Sequence, residues 1–184
     1  MVIEPISSNH NRLAFACGND KLDRYIHETA HQTKRKGLAA TFVAIDLQAD
    51  PTKILGYYSL SNFVIEGLDI PEVVRKARKL PAHSVGATLL GRLAVAKGMQ
   101  GKGIGQMLIA DALKRAYLVS VDVGSVAVVV DSIDANGAAW YQHFGFIPTI
   151  NDELRLVLMM DTIGQLLPGV PYSALVEQSE FRTA

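Results

Sequence analysis

Cysteine is almost missing from this sequence: Cys17 is the only one in 184 residues. No intramolecular disulfide can form, so the fold rests on packing alone, as suits a reducing compartment. A solitary cysteine is more often a small buried hydrophobe than a nucleophile. Net charge is missing too. Eighteen basic residues cancel eighteen acidic ones, which excludes a uniformly basic nucleic-acid binder but leaves room for a local basic patch. Long apolar runs are lacking, and none approaches the roughly 20 residues of a membrane-spanning helix. The stretch MVIEPISSNHNR at the start has no basic region followed by an apolar one. No signal peptide and no membrane partner are expected, and the chain reads as soluble and cytoplasmic.

Hydrophobic residues, by contrast, make up 49% of the chain, enough for a sizeable core. The length suits one domain, expected over residues 1–167. Residues 168–184, with Pro168, Gly169 and Pro171, read as a tail. Asn19 and Asp20 open a predicted helix that runs to about Lys36 and stops at Gly37. Strands are predicted at residues 2–6, 38–46, 54–66, 87–96, 125–131 and 154–160, and the second and third of these read as an antiparallel hairpin. A short basic helix is predicted to begin at Pro71, a long one at about Gly103, and another over residues 135–144, ended by Gly145. The element order gives an α/β (α+β) chain with a mixed, largely antiparallel sheet and helices on both faces.

Two short stretches compete for the function. The first is HETAH, residues 27–31, which has the His-Glu-x-x-His spacing of a zinc hydrolase. On a wheel of 100° per residue, Leu22, Tyr25, Ile26, Thr29, Ala30 and Thr33 gather on one side. His27 and His31 fall on the other, towards solvent and near Arg24, Lys34 and Arg35, cations that would repel a metal. A third ligand is also wanting, because Lys34 stands where the longer motif has glycine and no glutamate follows until Glu66. No metal is expected.

The second stretch is QGKGIG, residues 100–105, between a strong strand and a strong helix. Glycines there let backbone N–H groups converge on one point. The helix adds its unpaired N–H groups and the positive end of its dipole. Such a site suits a phosphate or pyrophosphate, although the same letters also suit a turn that binds nothing. It is not a P-loop, because Gly103 rather than Ser or Thr follows Lys102. It is not the dinucleotide fingerprint either, because Gly101, Gly103 and Gly105 do not meet Gly-x-Gly-x-x-Gly.

In its setting the stretch resembles the pyrophosphate loop of the GNAT superfamily of N-acetyltransferases, Gln/Arg-x-x-Gly-x-Gly/Ala, through Gln100, Gly103 and Gly105. LLGRLAV (89–95) is similar to that family's central strand, and WYQHFGF (140–146) to its C-terminal aromatic motif. The order of elements agrees over roughly residues 1–160. FACGNDKLDRYI (15–26), ILGYYSLS (54–61) and LLGRLAV further resemble the TacT/AtaT-type toxins of bacterial toxin–antitoxin modules.

The resemblance implies a GNAT fold and acetyl-CoA as co-substrate. It implies acetyl transfer to the amino group of aminoacyl-tRNA, inhibition of translation, a ribbon-helix-helix antitoxin and a homodimer. It assigns acetyl-CoA contacts to Leu93, Ala94 and Val95, whose N–H groups would face the oxyanion, and to Gln100, Gly101, Lys102, Gly103, Ile104 and Gly105. Asn136 is either a cap residue or a contact to the pantetheine arm. Tyr141 takes the general-acid position, a role that suits a hydroxyl still protonated at neutral pH.

The acceptor rests on charge clusters: Lys34, Arg35 and Lys36; Arg75, Lys76, Arg78 and Lys79; and Arg92 beside the active strand. These eight are the candidate tRNA contacts, and a solvated cationic surface is the other reading of them. Two other functions stay open: a GNAT acting on a protein or small-molecule amine, and a non-catalytic acetyl-CoA-binding module.

Overall fold

The computed structural model describes residues 1–167, so the expected tail from Pro168 lies outside the described residues. Seven strands form one sheet in the order β1-β2-β3-β4-β5-β7-β6. They are β1 (Val2–Pro5), β2 (Ala40–Ile45), β3 (Gly56–Glu66), β4 (Ser84–Val95), β5 (Ala127–Asp131), β6 (Ile147–Pro148) and β7 (Arg155–Met159). The pairs β1–β2, β2–β3, β5–β7 and β6–β7 run antiparallel. The β4–β5 pair is parallel, joining Thr88 to Val128 and Leu89 to Val129. The sheet is therefore mixed and largely antiparallel, as the sequence pattern predicts.

By compactness the described residues form two units, one from Met1–Ser61 with Leu90–Ala112, the other from Asn62–Leu89 with the described residues from Leu113. In the first unit the alternation of β3 sends neighbouring tyrosines to opposite faces. Tyr57 donates its hydroxyl to the Leu22 carbonyl at 2.8 Å. Tyr58 donates to the Asp111 carboxylate, on helix α4 (Ile104–Val123). Helices thus cover both faces there. On the Tyr57 side the core gathers Ile6, Phe15, Tyr25, Ile26, Val43 and Ala94.

The helix predicted over 19–36 forms, with Asn19 capping the N–H groups of Lys21 and Leu22. It is not uniform. Helix α1 (Asp20–Arg24) runs through a π-helical turn (Tyr25–Thr29) into α2 (Ala30–Arg35). The wider turn rotates everything after it away from the 100° wheel, which corrects the solvent-facing position expected for the two histidines. His27 Nε2 donates to the Phe15 carbonyl at 2.8 Å and His31 Nε2 to the Ser7 carbonyl at 3.2 Å. Both rings lie half-buried under the chain that precedes the helix.

In the second unit β5 is covered on both faces, with Ala127, Val128, Val129 and Val130 all buried. Here lie α3 (Glu72–Ala77), α5 (Ala135–Gln142) and α6 (Met160–Leu166). Gly164 allows α6 to lie directly on Tyr117, since a Cβ at that position would fall 2.6 Å from the tyrosine oxygen. Strand β6 and helix α6 are absent from the sequence reading, which extends the last strand through Met160. No helix among the described residues is long and apolar enough to cross a membrane.

Candidate active site

The glycine stretch forms a tight connection between β4 and α4. Gly101 and Gly103 take φ values of +73° and +80°, a region that residues with a Cβ rarely enter. The space above them is open: a Cβ on Gly101 would meet nothing within 4 Å, and one on Gly103 would meet only Gln106 Oε1, at 3.9 Å. The first intrahelical bond of α4 runs from Met107 N–H to the Gly103 carbonyl at 3.1 Å. The N–H groups of Ile104, Gly105 and Gln106 are therefore left without helical partners. No acidic residue occupies the first turn, so nothing there competes with an anion for the dipole. The arrangement fits a pyrophosphate such as acetyl-CoA carries.

Three of the expected contacts work differently from one another. Ile104 is 2% exposed, so its side chain belongs to the core and only its N–H faces outward. Lys102 is exposed, its ammonium 3.9 Å from Met99 Sδ. Gln100 is exposed, and its side-chain amide donates to the Cys17 carbonyl at 3.0 Å and the Val95 carbonyl at 3.1 Å. It braces the loop against the end of β4. Beside it, Lys97 N–H donates to the Ala16 carbonyl at 2.8 Å.

Cys17 thus contributes a backbone oxygen, which the sequence offers no signal for. Burial, and next its bond with Asp23, push its thiol up to about 11. It stays protonated at neutral pH.

Leu93, Ala94 and Val95 end β4, with Ala94 buried and its neighbours half-buried. Directly before them on β4 stands Arg92, expected as a tRNA contact. The guanidinium of Arg92 stands 3.9 Å from the ring centroid of Tyr25.

In the second unit, α5 carries the other two expected groups. Its cap is Asp134, whose carboxylate accepts from Gly137 N–H at 2.8 Å. That settles the cap question for Asn136, which lies exposed in the first turn without a side-chain partner among the described residues. Tyr141 packs edge-on against Trp140 and Phe146, with ring centroids 5.0 and 5.6 Å away. Its hydroxyl has no hydrogen-bond partner among the described residues, and burial pushes its titration up to about 12. At neutral pH it is a protonated donor with its proton uncommitted.

The cationic clusters are less uniform than their spacing suggests. Lys34 donates to the Ile6 carbonyl at 2.6 Å. Lys76 pairs with Glu72 at 2.7 Å. Arg78 pairs with Asp161 at 2.9 Å and also donates to Thr162. Arg35 and Lys36 border an open hollow of about 300 Å³ together with Gln32. Arg75 is half-buried, and Lys79 is exposed with a φ of +53°. Among the described residues, no group of three or more His, Cys, Asp or Glu side chains converges as a metal site would require.

The arrangement of sheet, loop and helix recurs in known proteins. The acetyltransferase (GNAT) domain family matches residues 40–148. A protein of Mycobacterium tuberculosis named tRNA-acetylating toxin is 31% identical over 155 residues, 84% of this chain and 89% of that protein. A protein of Sinorhizobium fredii named probable toxin TacT is 28% identical over 175 residues, 90% of this chain and 94% of that one. The crystal structure of a tyrosine-to-phenylalanine mutant of KacT superposes with a TM-score of 0.81 at 27% identity, covering 90% of this chain and 98% of that one. A strand, an open glycine loop and a helix, in a sheet of this order, agree with these matches: the chain belongs to the GNAT acetyltransferase family.

Proposed function

We propose that this enzyme moves the acetyl group of acetyl-CoA onto the amino group of an aminoacyl-tRNA, and so blocks translation as a toxin. We further propose that it works as a homodimer and is neutralised by a cognate ribbon-helix-helix antitoxin; an antitoxin partner is supported by the structure of an AtaT mutant bound to the antitoxin AtaR. The observation that carries this reading is the relationship, over most of the chain, with a tRNA-acetylating toxin. The free Tyr141 hydroxyl and the open glycine loop support it.

Acetyl-CoA supplies an activated thioester. The loop N–H groups hold its pyrophosphate, and Gln100 keeps the loop in place. The acceptor nitrogen must be neutral to attack. An α-amino group titrates near 8 and a lysine side chain near 10.4, so an α-amino acceptor reaches its neutral form at neutral pH without a strong base. Negative charge on the carbonyl oxygen is met by N–H groups of residues 93–95.

Tyr141 gives its proton to the departing sulfur. With a hydroxyl held near 12, it is a weaker acid than a thiol, so the transfer proceeds only if its proton is replaced. The acceptor nitrogen, which sheds a proton on becoming an amide, provides that replacement. Atoms then balance as amide plus free thiol, with Tyr141 returned to its starting state.

The test is transfer of labelled acetyl from acetyl-CoA to a pool of charged tRNAs, with Tyr141→Phe alongside. Label on the aminoacyl group, strongly reduced by the substitution, is the expected result. Acetyl-CoA binding with no label on RNA overturns the reading and points to protein or small-molecule amines.

A further inference from the structure

Arg92 combines two features on the proposed RNA face, a free donor edge and a guanidinium fixed on an aromatic ring. Lys34, Lys76 and Arg78 are committed to a carbonyl or a carboxylate of the chain itself. Arg92 is exposed and its N–H groups have no acceptor among the described residues. Its guanidinium is nevertheless held, 3.9 Å above the centroid of the Tyr25 ring.

That ring is fixed in turn. Tyr25 is 4% exposed. Its hydroxyl bonds to Thr41 at 2.9 Å and Thr33 at 3.3 Å, and its face stacks on Tyr57 at 5.9 Å. A stacked guanidinium keeps its donor edge free while losing the rotamer freedom that a solvated arginine would forfeit on binding.

We propose that Tyr25 is a positioning residue that presents Arg92 as a preorganised phosphate clamp, one residue from the strand segment 93–95, for the backbone of the acceptor RNA near its aminoacylated end. This rests on the function proposed above. A phosphate oxygen pair is the natural ligand for a free arginine fork. The place in the chain matters as well. Arg92 precedes the acyl-transfer segment directly, so a phosphate fixed there sets the reach of the attached amine, whereas the clusters at residues 34–36 and 75–79 lie elsewhere in the sequence.

The test uses the full chain, acetyl-CoA and a pool of charged tRNAs, with binding of deacylated tRNA measured against salt. Arg92→Ala is expected to raise the KM for charged tRNA about tenfold, the effect of one charge-assisted contact, with acetyl-CoA affinity unmoved and kcat little changed. The salt slope for deacylated tRNA should flatten by about 0.7–0.9, one phosphate's share. Tyr25→Leu should raise the same KM part of the way and add nothing in an Arg92→Ala background. Tyr25→Phe keeps the stacked ring and should stay near wild type.

Unchanged KM and slope in Arg92→Ala overturn the proposal while label transfer by wild type leaves the proposed function standing. Equal losses from Tyr25→Leu in both backgrounds overturn it too, because they mark a merely structural tyrosine. Where Tyr25→Leu fails to fold, Tyr25→Phe decides: a KM raised as far as in Arg92→Ala, with the ring retained, overturns the proposal. Wild type that neither labels nor binds tRNA removes both this inference and the function beneath it.

Discussion

The side-chain amide of Gln100 donates to the backbone carbonyl of Cys17, a residue 83 positions earlier in the chain. A second donation, to the Val95 carbonyl, uses the other amide hydrogen, so both donors of the glutamine are spent on holding the loop. Gln100→Glu replaces two donors with a group that only accepts and that carries charge of the same sign as a pyrophosphate. We expect a stability loss of about 2 kcal/mol, as for two lost exposed bonds, and a larger loss in acetyl-CoA affinity. Calorimetric titration with acetyl-CoA reads the second effect directly. An affinity equal to wild type would show that the brace does not serve the loop.

Glycine is demanded at some loop positions and not at others. Gly103 sits at φ +80° with open space around it, so Gly103→Ala meets no clash but must hold a left-handed backbone, at about 1–2 kcal/mol. The chain can relieve that strain only by turning the N–H groups at the start of α4 that are proposed to hold the pyrophosphate. Gly98 also has nothing within 4 Å and has no positive φ, so Gly98→Ala is the internal control. Gly103→Ala should weaken acetyl-CoA binding severalfold and Gly98→Ala should not. Equal effects would assign the loss to crowding near the loop instead of backbone conformation.

Tyr141 yields a rate and a pH prediction. Tyr141→Phe keeps the edge-on packing with Trp140 and Phe146 and removes only the donor. Its kcat should fall about a hundredfold or more, with acetyl-CoA affinity kept. Because burial raises the hydroxyl from 10.0 to about 12, it stays protonated through pH 7–10, and no alkaline loss of rate in that range should trace to it. The folded pKa lies above the unfolded one, so the folded state holds the extra proton. The stabilisation is complete below pH 10 and is lost as pH climbs towards 12. Wild type should therefore lose stability relative to Tyr141→Phe as pH climbs from 10 towards 12, and curves that stay parallel through that range would argue against the raised hydroxyl.

How much of this was legible before any coordinates depended on the range of the interaction. The glycine spacing at residues 100–105 and the aromatic run at 140–146 are local patterns, and both landed on the elements that the sequence predicts. The π-helical turn at Tyr25–Thr29 was not legible, because an extra residue in one turn leaves the apolar spacing on either side intact while rotating His27 and His31 onto backbone carbonyls. The fate of the cations was also hidden. Nothing local distinguishes Arg78, paired with Asp161, from Arg92, stacked on Tyr25, since both partners come from distant parts of the chain. Met160 looked like the last residue of a strand because hydrophobicity continues through it, yet α6 begins there.

The seat of α4 gives the last prediction, and it joins fold to function. Gly56 opens β3 where the first turns of α4 cross it. A Cβ there would fall 2.8 Å from Leu108 Cδ1, 2.9 Å from the Ala94 carbonyl oxygen and 3.2 Å from Ile104 Cγ2. The leucine tip can move, but the carbonyl belongs to the sheet and cannot. Gly56→Ala must therefore shift β3 against the Ala94 carbonyl of β4, and Leu108 and Ile104, in the first turns of α4, must give way with it. Overpacking of this kind costs about 1–3 kcal/mol. If only the core were involved, a fall in thermal midpoint would be the whole effect. Because Ile104 is both a core residue and the first residue of α4, acetyl-CoA affinity should fall as well, at temperatures where the variant is still folded. A destabilised variant that binds acetyl-CoA as tightly as wild type would show that the helix end keeps its place when its base is displaced, and would separate the packing of α4 from its role in holding the co-substrate.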